Sequence, residues 1–144
     1  MPSSIRTRLR DLAALLAIAL GSFTGAAQGE ASRVTDPAVR ARVVELVNIA
    51  RSMSRRCGNE RYAATTPLTP SRKLDDAAAA HARDMARRKY FDHRGRDGRQ
   101  PWDRIRGAGY QPRISGENIA FGPESAEEVV DGWLGSPGHC ANIM

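Results

Sequence analysis

The clearest pattern of hydrophobic and polar positions lies just after residue 35, where apolar residues recur at helical spacing. They are Val39, Val43, Leu46, Val47 and Ala50. This period predicts an amphipathic helix that runs to about Arg55. Thr35 or Asp36 is suited to cap its start, and Pro37 fits the first turn because its fixed φ is already helical. Gly58 is then available for a left-handed cap after the helix.

A second helix is predicted after a loop that contains prolines. Pro67 and Pro70 exclude helix from the segment between Arg61 and Pro70, and Ser71 or a close neighbour begins the helix. Its buried face consists of apolar and small residues together with one histidine: Leu74, Ala77, Ala78, His81, Ala82 and Met85. The opposite face is charged and is predicted to be solvated. His81 is therefore predicted to be a core histidine, hydrogen-bonded to a backbone or carboxylate group.

Three shorter helices are predicted in the second half of the chain. The segment from Pro101 to Arg106 forms one, and Ser125 with Glu128 has the spacing of a capping box that begins another. The apolar face behind that box is Val129, Val130, Trp133 and Leu134. After Pro137, the segment from Gly138 to Met144 begins a further helical turn. Strand signals are scarce, so the pattern by itself favours an all-α domain.

The first residues have the layout of a secretory signal peptide. Three arginines precede an apolar run from Leu12 to Leu20, and small residues follow. The run is too short to cross a bilayer, which takes about 20 apolar residues. We therefore expect residues 1–27 to be removed and the protein to be secreted or periplasmic. Cleavage after Gly29 and retention as an uncleaved anchor are the alternatives.

Length and charge limit the number of domains and the classes of partner that the chain can have. The 144 residues predict one domain, with a linker at residues 28–37 and the domain at residues 38–144. The formal net charge is +6, and removal of residues 1–27, which carry three arginines and Asp11 (net +2), leaves +4. Few aromatic residues lie among the arginines, so binding to nucleic acid is not predicted. No membrane span is expected after cleavage, and weak attraction to an anionic envelope polymer or lipid surface stays open.

The two cysteines are Cys57 and Cys140. An even number in an exported chain makes a disulfide the default, because oxidising compartments preserve such bonds. Two buried free thiols are the alternative.

Three polar residues are candidates for chemistry. His93 follows an aromatic pair, Glu117 lies beside apolar residues that favour a buried and partnered carboxylate, and His139 lies in a rigid Pro-Gly turn. Two imidazoles with a carboxylate suit either a divalent metal or general acid–base work. The sequence contains no HExxH motif and no CxxC pair, so local spacing does not support a metal site.

Seven short blocks occur along the chain in a definite order. They are Leu46-Val47-Asn48 with Arg51, the helix from Leu74 to Met85, Tyr90-Phe91 with His93, Asp97-Gly98, Gly109-Tyr110, Gly116-Glu117-Asn118-Ile119-Ala120 with Gly122, and Trp133 with Ser136-Pro137-Gly138-His139. In this order they resemble the CAP superfamily, which contains the cysteine-rich secretory proteins, antigen 5 and the plant pathogenesis-related proteins. The resemblance covers about residues 43 to 144 and is strongest to the bacterial secreted branch.

The resemblance implies a fold and a cleft. The family fold is an α+β, three-layer α-β-α sandwich whose cleft is lined by two histidines and two glutamates. His93 and Glu117 match two of these residues, and His139 matches the second imidazole of the bacterial version. Ser136 stands where the second glutamate is expected, and Glu128 is better placed to cap a helix. The set is incomplete, so we expect no resident cofactor and weak or no retention of zinc.

The resemblance also implies that Cys57 pairs with Cys140, because a Cys-Gly after the first helix accompanies a Gly-His-Cys near the end in the bacterial branch. Family sequences continue past the His139 block into further strands. We therefore expect the domain at residues 38–144 to be partial and the chain to be truncated at its C-terminus.

Family members are functionally diverse, so the fold does not settle the function. Our first hypothesis is a binding or interaction module for an extracellular or envelope ligand, such as a lipid or a polysaccharide. A metal-assisted hydrolase that uses the His/Glu cleft and a structural envelope protein are the alternatives. No residue is assigned a catalytic role.

Overall fold

A computed structural model describes residues 36–144, which form five helices and one two-stranded hairpin. In chain order the elements are α1 (Pro37–Arg51), β1 (Arg55–Cys57), β2 (Glu60–Tyr62), α2 (Arg72–Arg88), α3 (Pro101–Gly107), α4 (Ala126–Gly135) and α5 (Pro137–Ile143). This mixture fits the α+β class. The predicted signal peptide, residues 1–27, lies outside the described residues. No helix of residues 36–144 is long and apolar enough to cross a membrane.

The start of α1 follows its sequence. Asp36 caps the helix, and its Oδ1 accepts a hydrogen bond from the backbone N–H of Ala38 at 2.8 Å. Pro37 is the first helical residue, so the predicted linker at residues 28–37 overlaps the helix by one position. The cap satisfies one of the backbone donors that a helix start leaves without an intrahelical partner.

The predicted end of α1 was wrong. The helix stops at Arg51 rather than near Arg55, because the next residues pair as the antiparallel hairpin of β1 and β2. The same pairing takes the first two residues of the predicted 61–70 loop into β2. Gly58 lies in the hairpin turn at φ +63° instead of capping the helix. A Cβ on Gly58 would lie 3.0 Å from Cβ of Pro137, so glycine lets the hairpin turn approach α5 closely.

The later helices begin close to where the sequence predicts. Ser71 is the N-cap residue of α2, although its side chain makes no capping hydrogen bond, and α3 begins at Pro101. At the start of α4, Oγ of Ser125 accepts a hydrogen bond from the backbone N–H of Glu128 at 3.2 Å. The carboxylate of Glu128 accepts from the backbone N–H of Glu124 at 2.8 Å, one residue before the N-cap. Glu128 thus stabilises the helix start, through a different donor from the N-cap N–H of the predicted capping box.

The apolar side chains form one large cluster and two small ones. The large cluster joins α1, α4, α5 and the hairpin, and α2 adds Ala82 and Met85 to it. The predicted disulfide between Cys57 and Cys140 is confirmed, and it ties β1 to α5 inside this cluster. A much smaller cluster packs Leu74 of α2 against Ile105 of α3. The apolar faces predicted for α1, α2 and α4 are the faces that are buried or partly buried.

Candidate functional site

The chain leaves α2 through a left-handed turn that leads into the candidate site. Lys89 follows the helix at φ +51°, and its backbone N–H donates to the carbonyl of Met85. The ring of His81 lies within 2.9 Å of the carbonyl oxygen of Asp92, so Nε2 of His81 carries the proton that is donated. The prediction of a core histidine is confirmed, and its hydrogen bond anchors the backbone next to His93.

His93 and Glu117 are in direct contact although 24 residues separate them. Nδ1 of His93 lies 2.7 Å from Oε1 of Glu117. A carboxylate accepts hydrogen bonds, so Nδ1 is the protonated nitrogen and Nε2 is left as an acceptor in the neutral ring. Nε2 is buried and has no hydrogen-bond partner among residues 36–144. An imidazole oriented in this way can accept a proton or a hydrogen bond at Nε2.

Glu117 is held from its other side by Arg104 of α3. Nη2 of Arg104 donates to Oε2 of Glu117 at 2.6 Å, and the two residues are only 8% and 3% exposed. Nη1 of Arg104 donates to the carbonyl of Arg99 at 3.1 Å, which fixes the guanidinium against the loop before α3. Both carboxylate oxygens are therefore engaged. Removal of either charged group would leave the other buried without its partner.

The backbone that follows the buried glutamate is fastened to the last two helices. Nδ2 of Asn118 donates to the carbonyl of His139 at 3.2 Å. Nε1 of Trp133 in α4 donates to the carbonyl of Ile119, also at 3.2 Å. Asn118 thus binds α5 through its side chain, and Ile119 binds α4 through its carbonyl. These two contacts hold both helices next to the segment that carries Glu117.

His139 enters the site from α5 and is half-buried. Burial lowers the pKa of His139, and the nearby ring of His93 lowers it further, because two cationic imidazoles repel each other. Nε2 of His139 is buried and lacks a hydrogen-bond partner within the described part of the chain, as Nε2 of His93 does. The structure therefore places His93 and Glu117 in contact and His139 close by.

The comparisons with known proteins agree with the sequence resemblance. Residues 44–144 match the family described as CAP, the cysteine-rich secretory protein family. The chain belongs to this family. Over 103 residues it is 35% identical to "Uncharacterized protein YkwD" of Bacillus subtilis (strain 168), a match that covers 72% of this chain and 37% of YkwD. No solved structure matches the chain. CAP membership and the disulfide suggest an extracellular or secreted protein.

The candidate site offers few free metal ligands. Among residues 36–144, no group of three or more His, Cys, Asp or Glu side chains is arranged to hold a metal ion. The unengaged donors are Nε2 of His93 and Nε2 of His139, whereas both oxygens of Glu117 already accept hydrogen bonds. Ser136, at the place of the second glutamate, links α4 to α5 and precedes the helical start at Pro137. This donor set does not fit a resident zinc unless Glu117 gives up one of its partners.

Two residues that hold the candidate site together were not predicted. Arg104 was assigned only to a short helix, and Asn118 only to a family block. The prediction that Glu117 is buried and partnered was a signal that a basic or hydrogen-bonding residue must lie near it. Nothing in the linear pattern distinguishes Arg104 from the many solvated arginines around it. Its burial depends on how α3 packs against α2, and the spacing of apolar residues along the chain contains no information on that packing.

Proposed function

We propose that this CAP protein is an exported binding module whose cleft, formed by His93, Glu117 and His139, takes a polar extracellular or envelope ligand. The observation that carries this proposal is the pair of buried Nε2 atoms without protein partners among residues 36–144. A buried polar atom that lacks a hydrogen bond costs about 1–3 kcal/mol. A ligand with hydroxyl or other donor groups would remove this penalty on binding.

The site has an oriented imidazole, but no nucleophile of residues 36–144 is hydrogen-bonded to its free nitrogen. Glu117 orients His93 through Nδ1, as the third group of a catalytic triad orients a base. No hydroxyl or thiol among the described residues is hydrogen-bonded to Nε2 of His93. Cys140, the residue after His139, is committed to the disulfide. These contacts support recognition of a ligand over nucleophilic catalysis.

A metal-assisted hydrolase is the second candidate. The two unpartnered nitrogens favour it, because neutral imidazole is a common ligand of zinc. The engagement of Glu117 by Arg104 and His93 weighs against it, since both oxygens of Glu117 already accept hydrogen bonds. We expect weak or no retention of zinc, and this expectation separates the two candidates.

The same proposal includes the finer architecture and the location. We expect the three-layer α-β-α sandwich of the family and export to the cell envelope or the medium. The family match supports the expected architecture. The family match and the disulfide together support export.

Co-sedimentation of the purified full chain with isolated cell-envelope fractions tests the binding function. We expect the wild type to co-sediment and the double variant His93→Ala/His139→Ala to lose about tenfold or more of its affinity. Arg83→Gln, an exposed change on α2, serves as the matched control and should bind as the wild type does. Equal co-sedimentation of the wild type and the double histidine variant would contradict the proposed cleft.

Elemental analysis after dialysis, with and without chelator, tests the metal. We expect far less than one zinc per chain. Stoichiometric zinc that is lost in His93→Ala would contradict this expectation and favour the hydrolase.

A further inference from the structure

The positive charge of the described residues is concentrated in one segment beside the cleft. Residues 83–106 carry nine lysines or arginines against four aspartates or glutamates, a net charge of +5. Residues 36–82 and 107–144 together carry nine basic and ten acidic residues, a net charge of −1. The basic segment runs from the end of α2 to α3 and includes His93. Arg104 is buried and paired with Glu117, so the other residues of the segment carry +4. An anionic ligand would therefore be attracted to this segment.

An open depression of about 510 Å³ lies within the basic segment. It is lined by residues 90–92, 94–96 and 98. A tight turn shapes it, closed by the N–H of Gly98, which donates to the carbonyl of Gly95 at 2.9 Å. A Cβ on Gly95 would lie 2.6 Å from Oδ1 of Asp97, so a larger residue there would displace the Asp97 side chain from its hydrogen bond with the N–H of Arg99. The hydrogen-bonded turn thus gives the depression a defined shape within the loop that carries His93.

Two exposed guanidinium groups, those of Arg94 and Arg96, line the depression. Neither forms a salt bridge within the described part of the chain. Nε of Arg94 makes one long hydrogen bond, 3.4 Å, to the carbonyl of Gly98, and Arg96 lies over the ring of Tyr90 with Cζ 5.0 Å from the ring centroid. Their remaining N–H groups can bind carboxylates in the paired geometry that guanidinium favours.

Two exposed phenyl rings lie beside these cations. Phe91 lines the depression and is 47% exposed, and Phe121, next to the cleft segment, is 61% exposed. Their ring centroids are 6.1 Å apart and their planes are tilted by 51°. Exposed apolar groups that cluster on a soluble protein commonly mark a binding surface. Flat rings next to arginines suit a ligand that alternates apolar ring faces with negative charges.

We propose that the depression binds a carboxylate-bearing polysaccharide, with carboxylates on Arg94 and Arg96 and sugar rings against Phe91 and Phe121. This inference rests on the proposed binding function and names its ligand class. The open shape suits a polymer that continues beyond the site, whereas a small molecule is usually enclosed. An acidic sugar chain also supplies hydroxyl groups for the neighbouring imidazoles of the cleft.

Titration calorimetry of the full, oxidised chain with polygalacturonate tests the proposal, with dextran as the neutral match. The test variant is Arg94→Gln/Arg96→Gln. The control is Arg87→Gln/Arg88→Gln, which removes the same charge from the same segment at residues that contact Asp84 outside the depression. We expect polygalacturonate to bind and dextran not to bind. We expect the test variant to lose about tenfold or more in affinity and the control less than about threefold.

Three outcomes would overturn the proposal. Equal losses of affinity for polygalacturonate in the two double variants would show that only general charge attraction is involved. Unchanged affinity of Phe91→Ala for polygalacturonate would show that the Phe91 ring does not contact the sugar. Binding to phosphatidylglycerol vesicles, with no binding to polygalacturonate, would show that the ligand is a membrane surface and not a sugar chain. If polygalacturonate fails while envelope binding still depends on His93 and His139, the ligand class is wrong and the proposed function survives.

Discussion

The region around the disulfide and the region around Glu117 are held together by different forces. The first joins α1, α4, α5 and the hairpin through apolar side chains and closes with the covalent link at Cys140. The second lies between α2 and α3, where Leu74 and Ile105 form only a small apolar cluster beside the buried Arg104–Glu117 pair. The comparison teaches that most of the buried apolar side chains lie in the first region. The second keeps polar groups buried and oriented, as a ligand site requires.

The residues of α2 show how the two regions meet. Ala82 and Met85 pack into the large cluster, whereas Ala77 and Ala78 form a small cluster with Ala108 after α3. Alanine side chains are short, so the neighbouring segment can lie close to the helix. Such close packing brings a charged side chain of α3 within hydrogen-bond distance of the segment that carries the glutamate.

Removal of the disulfide, which lies in the first region, should lower the free energy of unfolding more than any other change considered. The bond joins residues that are 83 positions apart. In the loop-entropy model a bond over such a separation stabilises by about 4–5 kcal/mol. We expect Cys57→Ser/Cys140→Ser to lower the free energy of unfolding by that amount, measured by urea denaturation. Reduced wild type is the control and should unfold like the variant. A difference below about 1 kcal/mol would place the stability elsewhere.

Breaking the buried ion pair should destabilise the second region nearly as much. Arg104→Met leaves the carboxylate of Glu117 buried without its main cation, which typically costs about 3–5 kcal/mol. The double variant Arg104→Met/Glu117→Gln should recover part of this loss, because no buried charge remains. Ile105→Val, at the adjacent buried position, is the matched control and should cost about 0.5–1.5 kcal/mol. Equal costs for Arg104→Met and Ile105→Val would contradict the role given to the ion pair.

Acid should weaken both regions through two histidines. Burial, followed by Arg104, lowers the pKa of His81 from 6.5, and burial, followed by His93, lowers that of His139. The unfolded state therefore binds protons more readily, and the free energy of unfolding should fall as the pH drops below about 6.5. Urea denaturation between about pH 5 and pH 8 measures this slope. In His139→Gln the slope should be smaller, and a stability that rises towards acid would contradict the assignment.

The exposed ion pair between α1 and α4 should matter least. Nε of Arg42 lies 2.8 Å from Oε1 of Glu127, and both side chains are exposed. Solvent screens such pairs, so their contribution is small. We expect Arg42→Gln to leave the melting temperature unchanged within experimental error in a calorimetric scan. A clear loss would show that surface charge supports the contact of α1 with α4.

Much of the fold was predictable because it depends on local chemistry. The cap at Asp36 and the contact of Glu128 at the start of α4 are short-range hydrogen bonds. The helix α2 begins after Ser71, as the residue type predicts. The end of α1 was not predictable in this way. It depends on a hairpin whose turn at Gly58 packs against Pro137, a contact between distant parts of the chain.

For the candidate site, the sequence by itself determined which groups are candidates for binding or chemistry. Two imidazoles, one carboxylate and two cysteines were singled out from residue type, local context and family blocks. Only the tertiary structure decided how they are used. It set the proton of His93 on Nδ1 by placing Glu117 beside it, and it selected Arg104 as the buried partner of that carboxylate. The physical reason is that burial and pairing of charges depend on packing between helices, and a linear pattern does not contain those distances.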